Sequence, residues 1–476
     1  MVCMYRVCVC VCVWWSTHDS RFTTRRCKGV EGGCDVCVFW WWFLCVLYEE
    51  MVCTYSRGWV SDGRPMGGAT GERRAGRMGA GDDDDDGDGD ARVALTHVDL
   101  SSYEPVTFAP WEDDGVAVTR ARWVGVFRAA TPSFARRAAT CGAPDAETRA
   151  KAFQRAFDAV CDACEGRASD EEPHGGARRA CRDAGGAEPR RPWRGANCLE
   201  LCRARDGILR DACGFADCFA SVKREENEAA LRALPDVLRA LDETTGDDDE
   251  DARLAACVRG AFAGNIFDLG AAASVDLYEN GGGVDFAATV AKLKPRPWCV
   301  DDFDAMRERF AKRRHRKAVV FVDNAGADVC LGMIPFAREL IRRGTEVVLA
   351  ANETPSINDI TARELRDEIF PALVESSGDA ILRDAIADGR LRVVSSGNDM
   401  PVIDLRFVSR EVRDEAKDAD LIVLEGMGRG IETNLYAKLK VDCVKLAMVK
   451  HREVAELLGG ELYDCVCKFD VGSDDL

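Results

Sequence analysis

Basic side chains are in deficit in this 476-residue chain. Its 64 lysines and arginines face 82 aspartates and glutamates, for a net charge of −18. That balance argues against nucleic acid or an anionic membrane as the main partner, because both recruit basic faces. No apolar run reaches the ~20 residues that cross a bilayer, since the longest, Val36 to Tyr48, is shorter and rich in Trp and Cys. No credible secretory signal stands at the start, so disulfides are not expected and the thiols are read as reduced, in a cytoplasmic protein. Structural zinc is the less favoured alternative to reduced thiols, since a second ligand pair at zinc spacing is missing. Nine of the 23 cysteines fall in the first 53 residues, and beyond them only Cys161 and Cys164 form a clear CxxC. Cys181, Cys198 and Cys202 follow at gaps that fit no standard finger.

Three regions are present. Residues 1–90 open with alternating Val and Cys and end in GDDDDDGDGD, a composition from Ser56 to Asp90 that cannot bury a core. This low-complexity region reads as disordered or as a non-native extension, with Met51, Met66 or Met78 as later starts, or else as an anchor or targeting signal. Residues 91–316 read as helical: in AETRAKAFQRAFDAVCDACE and REENEAALRALPDVLRALDE apolar residues recur at three and four. Pro144 marks a helix start, and the Arg/Gly/Pro-rich stretch from Gly166 to Asn197 reads as a loop. From Lys317 onward short apolar runs alternate with helical stretches, which predicts an α/β region, a Rossmann-like, doubly wound parallel sheet over residues 317–476. Ser409 is the expected N-cap of one helix, and Gly344 the stop of another.

In open α/β sheets ligands bind beyond the carboxyl ends of the strands. Five predicted strands end in polar or Gly-rich clusters: Asp323-Asn324, then Asn352, then Ser395 to Asp399, then Glu425 to Arg429, then Lys450. All five are expected on one edge. Asp323, Asn324 and Asp359 offer oxygens suited to a hard divalent cation. No basic residue lies beside Asp323 in sequence, so that cation is expected to neutralise it. Arg429 and Lys450 offer donors for a phosphate, and Gly426 and Gly428 would let backbone N–H groups approach it. Taken singly, each acid could equally be a cap or turn former, GMGRG a flexible turn, Lys450 a surface residue, Asp399 a cap and Asp404 a surface acid. Their recurrence at successive strand ends is what points to metal-assisted phosphoryl transfer to water.

VDNAG at Val322 to Gly326, INDIT at Ile357 to Thr361, SSGND at Ser395 to Asp399 and EGMGR at Glu425 to Arg429 together resemble the damage-control phosphatase family, formerly domain of unknown function 89. EGMGR is similar to the signature of its second subfamily, which includes stand-alone plant proteins and a domain fused to a pantothenate kinase paralogue. Leu209 to Leu231 and Ala263 to Ala271 resemble its helical region, where Asn265 and Asp268 could reach the site or merely serve a helix end.

The resemblance implies a phosphatase dependent on a divalent metal (Mn, Co, Ni or Mg). The family's ligands map onto Asp323, Asn324 and Asp359, which are also the catalytic residues. The substrate side falls on Asn352, Glu425, Gly426, Met427, Gly428, Arg429 and Lys450. The implied reaction is hydrolysis of 4′-phosphopantetheine or its oxidised or damaged forms. A broader sugar-phosphate phosphatase and a non-catalytic phosphopantetheine-binding regulator are the alternatives. Any link to a pantothenate kinase is expected in trans. Aspartyl-phosphate phosphatases carry a second acid two residues after the first; Ala325 stands there, which favours water over Asp323 as the nucleophile.

Overall fold

The computed structural model describes residues 92–108, 118–166, 197–245, 249–266 and 286–473. Backbone contacts divide the chain into Met1–Asp83 and Asp84–Leu476, and the account below concerns the second unit. The expectations for residues 1–90, Asp268 and the interior of the loop between Gly166 and Asn197 lie outside the described residues.

The helical rhythm forms where the pattern predicts it. Helices α1 (Arg120–Thr140), α2 (Ala146–Cys164), α3 (Cys198–Gly207), α4 (Ala220–Thr245) and α5 (Glu250–Asn265) come first. The α1–α3 group buries Trp123, Phe134, Phe153, Phe157 and Leu201. Cys161 and Cys164 lie in this cluster as free thiols, and burial pushes each up to about 12. All the described cysteines are free.

Seven strands follow: β1 (Val300–Asp301), β2 (Lys317–Phe321), β3 (Glu346–Ala351), β4 (Leu391–Ser395), β5 (Leu421–Glu425), β6 (Asp442–Met448) and β7 (Cys465–Asp470). They form one sheet in the order β1-β7-β6-β5-β2-β3-β4. Strands β2 to β6 are mutually parallel, so their carboxyl ends share one edge. β7 runs antiparallel to β6, and β1 pairs with β7, two edge additions that the strand–helix rhythm did not predict. The short Cys/Val run of β7 follows a helix like any other strand, and nothing local encodes its reversed direction.

Both faces of the sheet are buried. Ala318 and Val320 of β2 and Leu421 and Val423 of β5 face one cluster with α4, α5 and the helix α6 (Ile334–Arg342). Val319, Phe321, Ile422 and Leu424 face the other, covered by α7 (Arg410–Ala416) together with Leu95, Val98 and Tyr103. This alternation is the period of two expected of a pleated strand. It is also why these strands read as continuous apolar runs. The first cluster joins residues on both sides of residue 316, so α4 and α5 share the core of the sheet. Ser409 accepts from the Val412 N–H at 3.0 Å and caps α7, while Gly344, at φ +87°, ends α6. No described helix is long and apolar enough to cross a membrane.

Candidate active site

The chain leaves β2 toward β3 and β4 on one side, while β5 and β6 lie on the other. The order therefore reverses between β2 and β5, and a crevice opens at that switch point, beyond the strand ends. Asp323 and Asn324 follow β2, and Glu425 closes β5. A cavity of about 60 Å³ lies there. Its floor is Asp323, Asn324, Asp359, Met427 and Gly428, and its walls include Val126, Phe127 and Ala130 of α1 and Arg205 of α3. The helical cap thus closes over the strand edge, and Met427 and Ile357 pack into its apolar cluster.

Asp359 reaches Asp323 because its segment folds back on β2. Asn324 and Asp359 form an isolated antiparallel bridge, and the Ile360 N–H donates to the Asp323 carbonyl at 2.9 Å. The three residues read as metal ligands therefore share one cavity wall.

Arg429 lies behind that wall, 1% exposed. One guanidinium nitrogen donates to Asp323 Oδ1; the other donates to Asp359 Oδ2 at 2.6 Å and to Asn352 Oδ1 at 3.0 Å. Here the structure corrects the expectation that no basic side chain neutralises Asp323: the compensating charge comes from the end of β5, remote in sequence. The two carboxylates hold the guanidinium above its usual value against the opposing effect of burial.

Deeper still, Asp323, Asp328 and Glu425 form a second cluster whose carboxylate oxygens lie within 4.8 Å of one another. Asn265, at the end of α5, ties it together. Its Nδ2 donates to Glu425 Oε1 at 2.8 Å, Asp328 Oδ2 at 2.9 Å and Asp323 Oδ2 at 3.2 Å, while its Oδ1 accepts from the Met448 N–H. Asn324 adds a donor to Asp328 Oδ2 at 2.8 Å, and Lys450 Nζ donates to the Asn265 carbonyl at 2.7 Å. Burial first, then the neighbouring acids, push Asp328 up to about 6 and Glu425 well above the ordinary carboxylate range. Asp328 Oδ1 is buried with no hydrogen-bond partner. Concentrated, incompletely compensated oxygen donors of this kind suit a hard divalent cation, so the residues fit the implied metal.

The residues expected on the substrate side divide. Met427 and Gly428 line the cavity. Asn352, Glu425, Arg429 and Lys450 are buried behind it and hold the carboxylates in place. Asn352 Nδ2, for example, donates to Asp359 Oδ2 at 3.1 Å, and Asn398 in turn orients Asn352. Gly426 gives its N–H to the Leu446 carbonyl, which corrects the expectation that it offers this group to a phosphate. Its φ is +97°, and a Cβ there would collide with the Asp323 carboxylate, so close approach of β5 to Asp323 is what demands glycine. Asp399 pairs with Arg210 at 2.9 Å and Asp404 with Arg406 at 2.7 Å, so neither acid belongs to the site.

Sequence reading missed Asp328, Arg205, Glu432 and His451. Asp328 stands five residues after Asp323, in the first turn of the following helix, a spacing that could have revealed it. Arg205 sits in an apolar helical pattern and gives no such signal; it pairs with Asp206 at 2.7 Å and lies over the Phe134 ring.

The chain is similar to several known proteins. A damage-control phosphatase of Arabidopsis thaliana is 46% identical over 73% of this chain and 87% of its own length. Pantothenate kinase 2 of the same plant is 41% identical, over 78% of this chain and 41% of the relative. The 4′-phosphopantetheine phosphatase of Mus musculus is 33% identical, over 54% and 36%. The chain therefore spans less than half the length of the latter two. A solved DUF89-family protein of Pyrococcus horikoshii aligns at a TM-score of 0.42 and 21% identity, over 67% of this chain and 96% of that one. The description "Damage-control phosphatase ARMT1-like domain" matches residues 147–466, from the second helix of the cap to the start of the last strand, and with that span the chain belongs to the damage-control phosphatase family.

Proposed function

We propose that this chain is a metal-dependent phosphomonoesterase that hydrolyses 4′-phosphopantetheine or its oxidised or damaged forms. The observation that carries the reading is the convergence of Asp323, Asn324 and Asp359 on one cavity at the switch point, backed by a second layer of acids. The mouse relative named a 4′-phosphopantetheine phosphatase supports that substrate, and the plant relatives named pantothenate kinase 2 support a link to pantothenate kinase in trans.

Asp323, Asn324 and Asp359 would hold a divalent ion, Mn, Co, Ni or Mg. When bound, it supplies neutralisation of the phosphoryl oxygens. Arg429 pairs with both Asp323 and Asp359 and so fixes the position of one carboxylate relative to the other. Arg205, unlike Arg429, lines the cavity itself, and its guanidinium is assigned to meet a phosphoryl oxygen. The apolar wall of Val126, Phe127 and Ala130 suits the aliphatic arm of the ester and excludes bulk water from the phosphoryl end. Phosphoryl transfer requires chiefly this positioning and charge neutralisation.

Phosphate release from 4′-phosphopantetheine and a sugar-phosphate panel, with each metal and with chelator, tests the reading. Metal-dependent release that favours phosphopantetheine and disappears in Asp323→Asn is expected. Equal release by wild type and Asp323→Asn would remove the assigned site, and a preference for sugar phosphates would replace the substrate.

A further inference from the structure

The mechanism above leaves one titratable pair at the cavity unused. Glu432 closes the turn Met427–Glu432 after β5, and His451 follows β6 immediately after Lys450. Both side chains line the same cavity as Asp323 and Asp359. His451 Nδ1 lies 3.3 Å from Glu432 Oε1. Glu432 is itself anchored, its carbonyl accepting from the Thr107 N–H at 2.9 Å. With Nδ1–H donated to the carboxylate, Nε2 is the ring nitrogen left for the cavity, and no protein group among the described residues bonds it. His97 and His315, the other described histidines, are both tied up elsewhere: His97 Nε2 on the Ala416 carbonyl and His315 Nε2 on Asp442.

We propose that His451 is the general acid of the reaction and that Glu432 is its positioning residue. The assignment rests on the phosphomonoesterase reading. As the water oxygen adds to phosphorus, the P–O bond to the alcohol breaks and its electron pair stays on the leaving oxygen. That oxygen takes the Nε2 proton and departs as the alcohol. The proton shed by the attacking water restores the imidazolium, so the sum is ester plus water to alcohol plus phosphate. An alkoxide is a poor leaving group and needs this proton; a nitrophenolate leaves without it. Glu432 fixes the ring orientation and stabilises the imidazolium, as a carboxylate behind a catalytic histidine does.

The test compares alkyl and aryl esters in one preparation: 4′-phosphopantetheine and glycerol phosphate against p-nitrophenyl phosphate. His451→Ala is expected to lose ~10²–10⁴-fold in kcat on the alkyl ester, the range for general acid catalysis, and far less on the aryl ester. Aryl turnover by the variant also shows that the site has folded. Glu432→Gln should give a smaller loss with the same alkyl bias, in kcat rather than KM. Equal losses on both ester types, or undiminished alkyl turnover, overturn the assignment. A wild-type enzyme that cleaves glycerol phosphate but not phosphopantetheine fails the substrate reading while the comparison still decides the role of His451. Aryl without any alkyl activity overturns both.

Discussion

Arg429→Met is the sharpest probe of how the site is held together. The guanidinium is 1% exposed and bridges Asp323 and Asp359, themselves 4% and 1% exposed. Methionine keeps most of the side-chain length and removes the charge. The two carboxylates are then left in a low-dielectric setting beside Asp328 and Glu425, without their main cation. Breaking a buried pair from one side costs about 3–5 kcal/mol, because the remaining charge is uncompensated. Unfolding by urea in the presence of chelator should show that loss. A millimolar divalent ion should recover more stability in the variant than in the wild type, since the metal can offset the same two carboxylates. Adding Asp323→Asn and Asp359→Asn to Arg429→Met should also restore much of it, because the stranded charges are gone. A loss below about 1 kcal/mol, or a triple variant no better than the single one, would refute the view that Arg429 compensates buried charge.

Two further outcomes follow from the same geometry. Gly426→Ala is expected to cost more than ~1 kcal/mol, since alanine is strained at positive φ, and to abolish phosphate release, since φ is +97° and the new methyl collides with Asp323; wild-type activity in this variant would show that the β5 turn can relax. Glu415 is held down at about 2 from an ordinary 4.5, chiefly by Arg392 and then by Lys317. Because its value is depressed on folding, its contribution is present above about 4.5 and lost as the pH falls toward 2. The stability gap between wild type and Glu415→Gln, read from urea midpoints, should therefore be largest near neutral pH and close in acid. A gap that does not change with pH would contradict this.

The sequence by itself determined the alternation of buried strands and helices from Lys317, the helical cap before it, and the acids and amides at the strand ends. These are local properties, carried by apolar periodicity and by polar residues that stop a buried strand. Parallel direction then forces those ends onto one edge, which places Asp323 and Asn324 there; Asp359 was grouped with them by its residue type and the family resemblance, and it is the fold-back of its segment onto β2 that brings it alongside. Tertiary structure alone decided which charge meets which. Arg429 was legible as a phosphate donor, yet its partners are 106 and 70 residues away and turn it into a brace for the carboxylates. Asn265, Arg205 and the Glu432–His451 pair join the site across loops whose closure no periodicity encodes. The antiparallel direction of β7 is likewise set by its pairing with β6, because a strand of either direction can satisfy its backbone groups in a ladder and its own apolar run encodes neither.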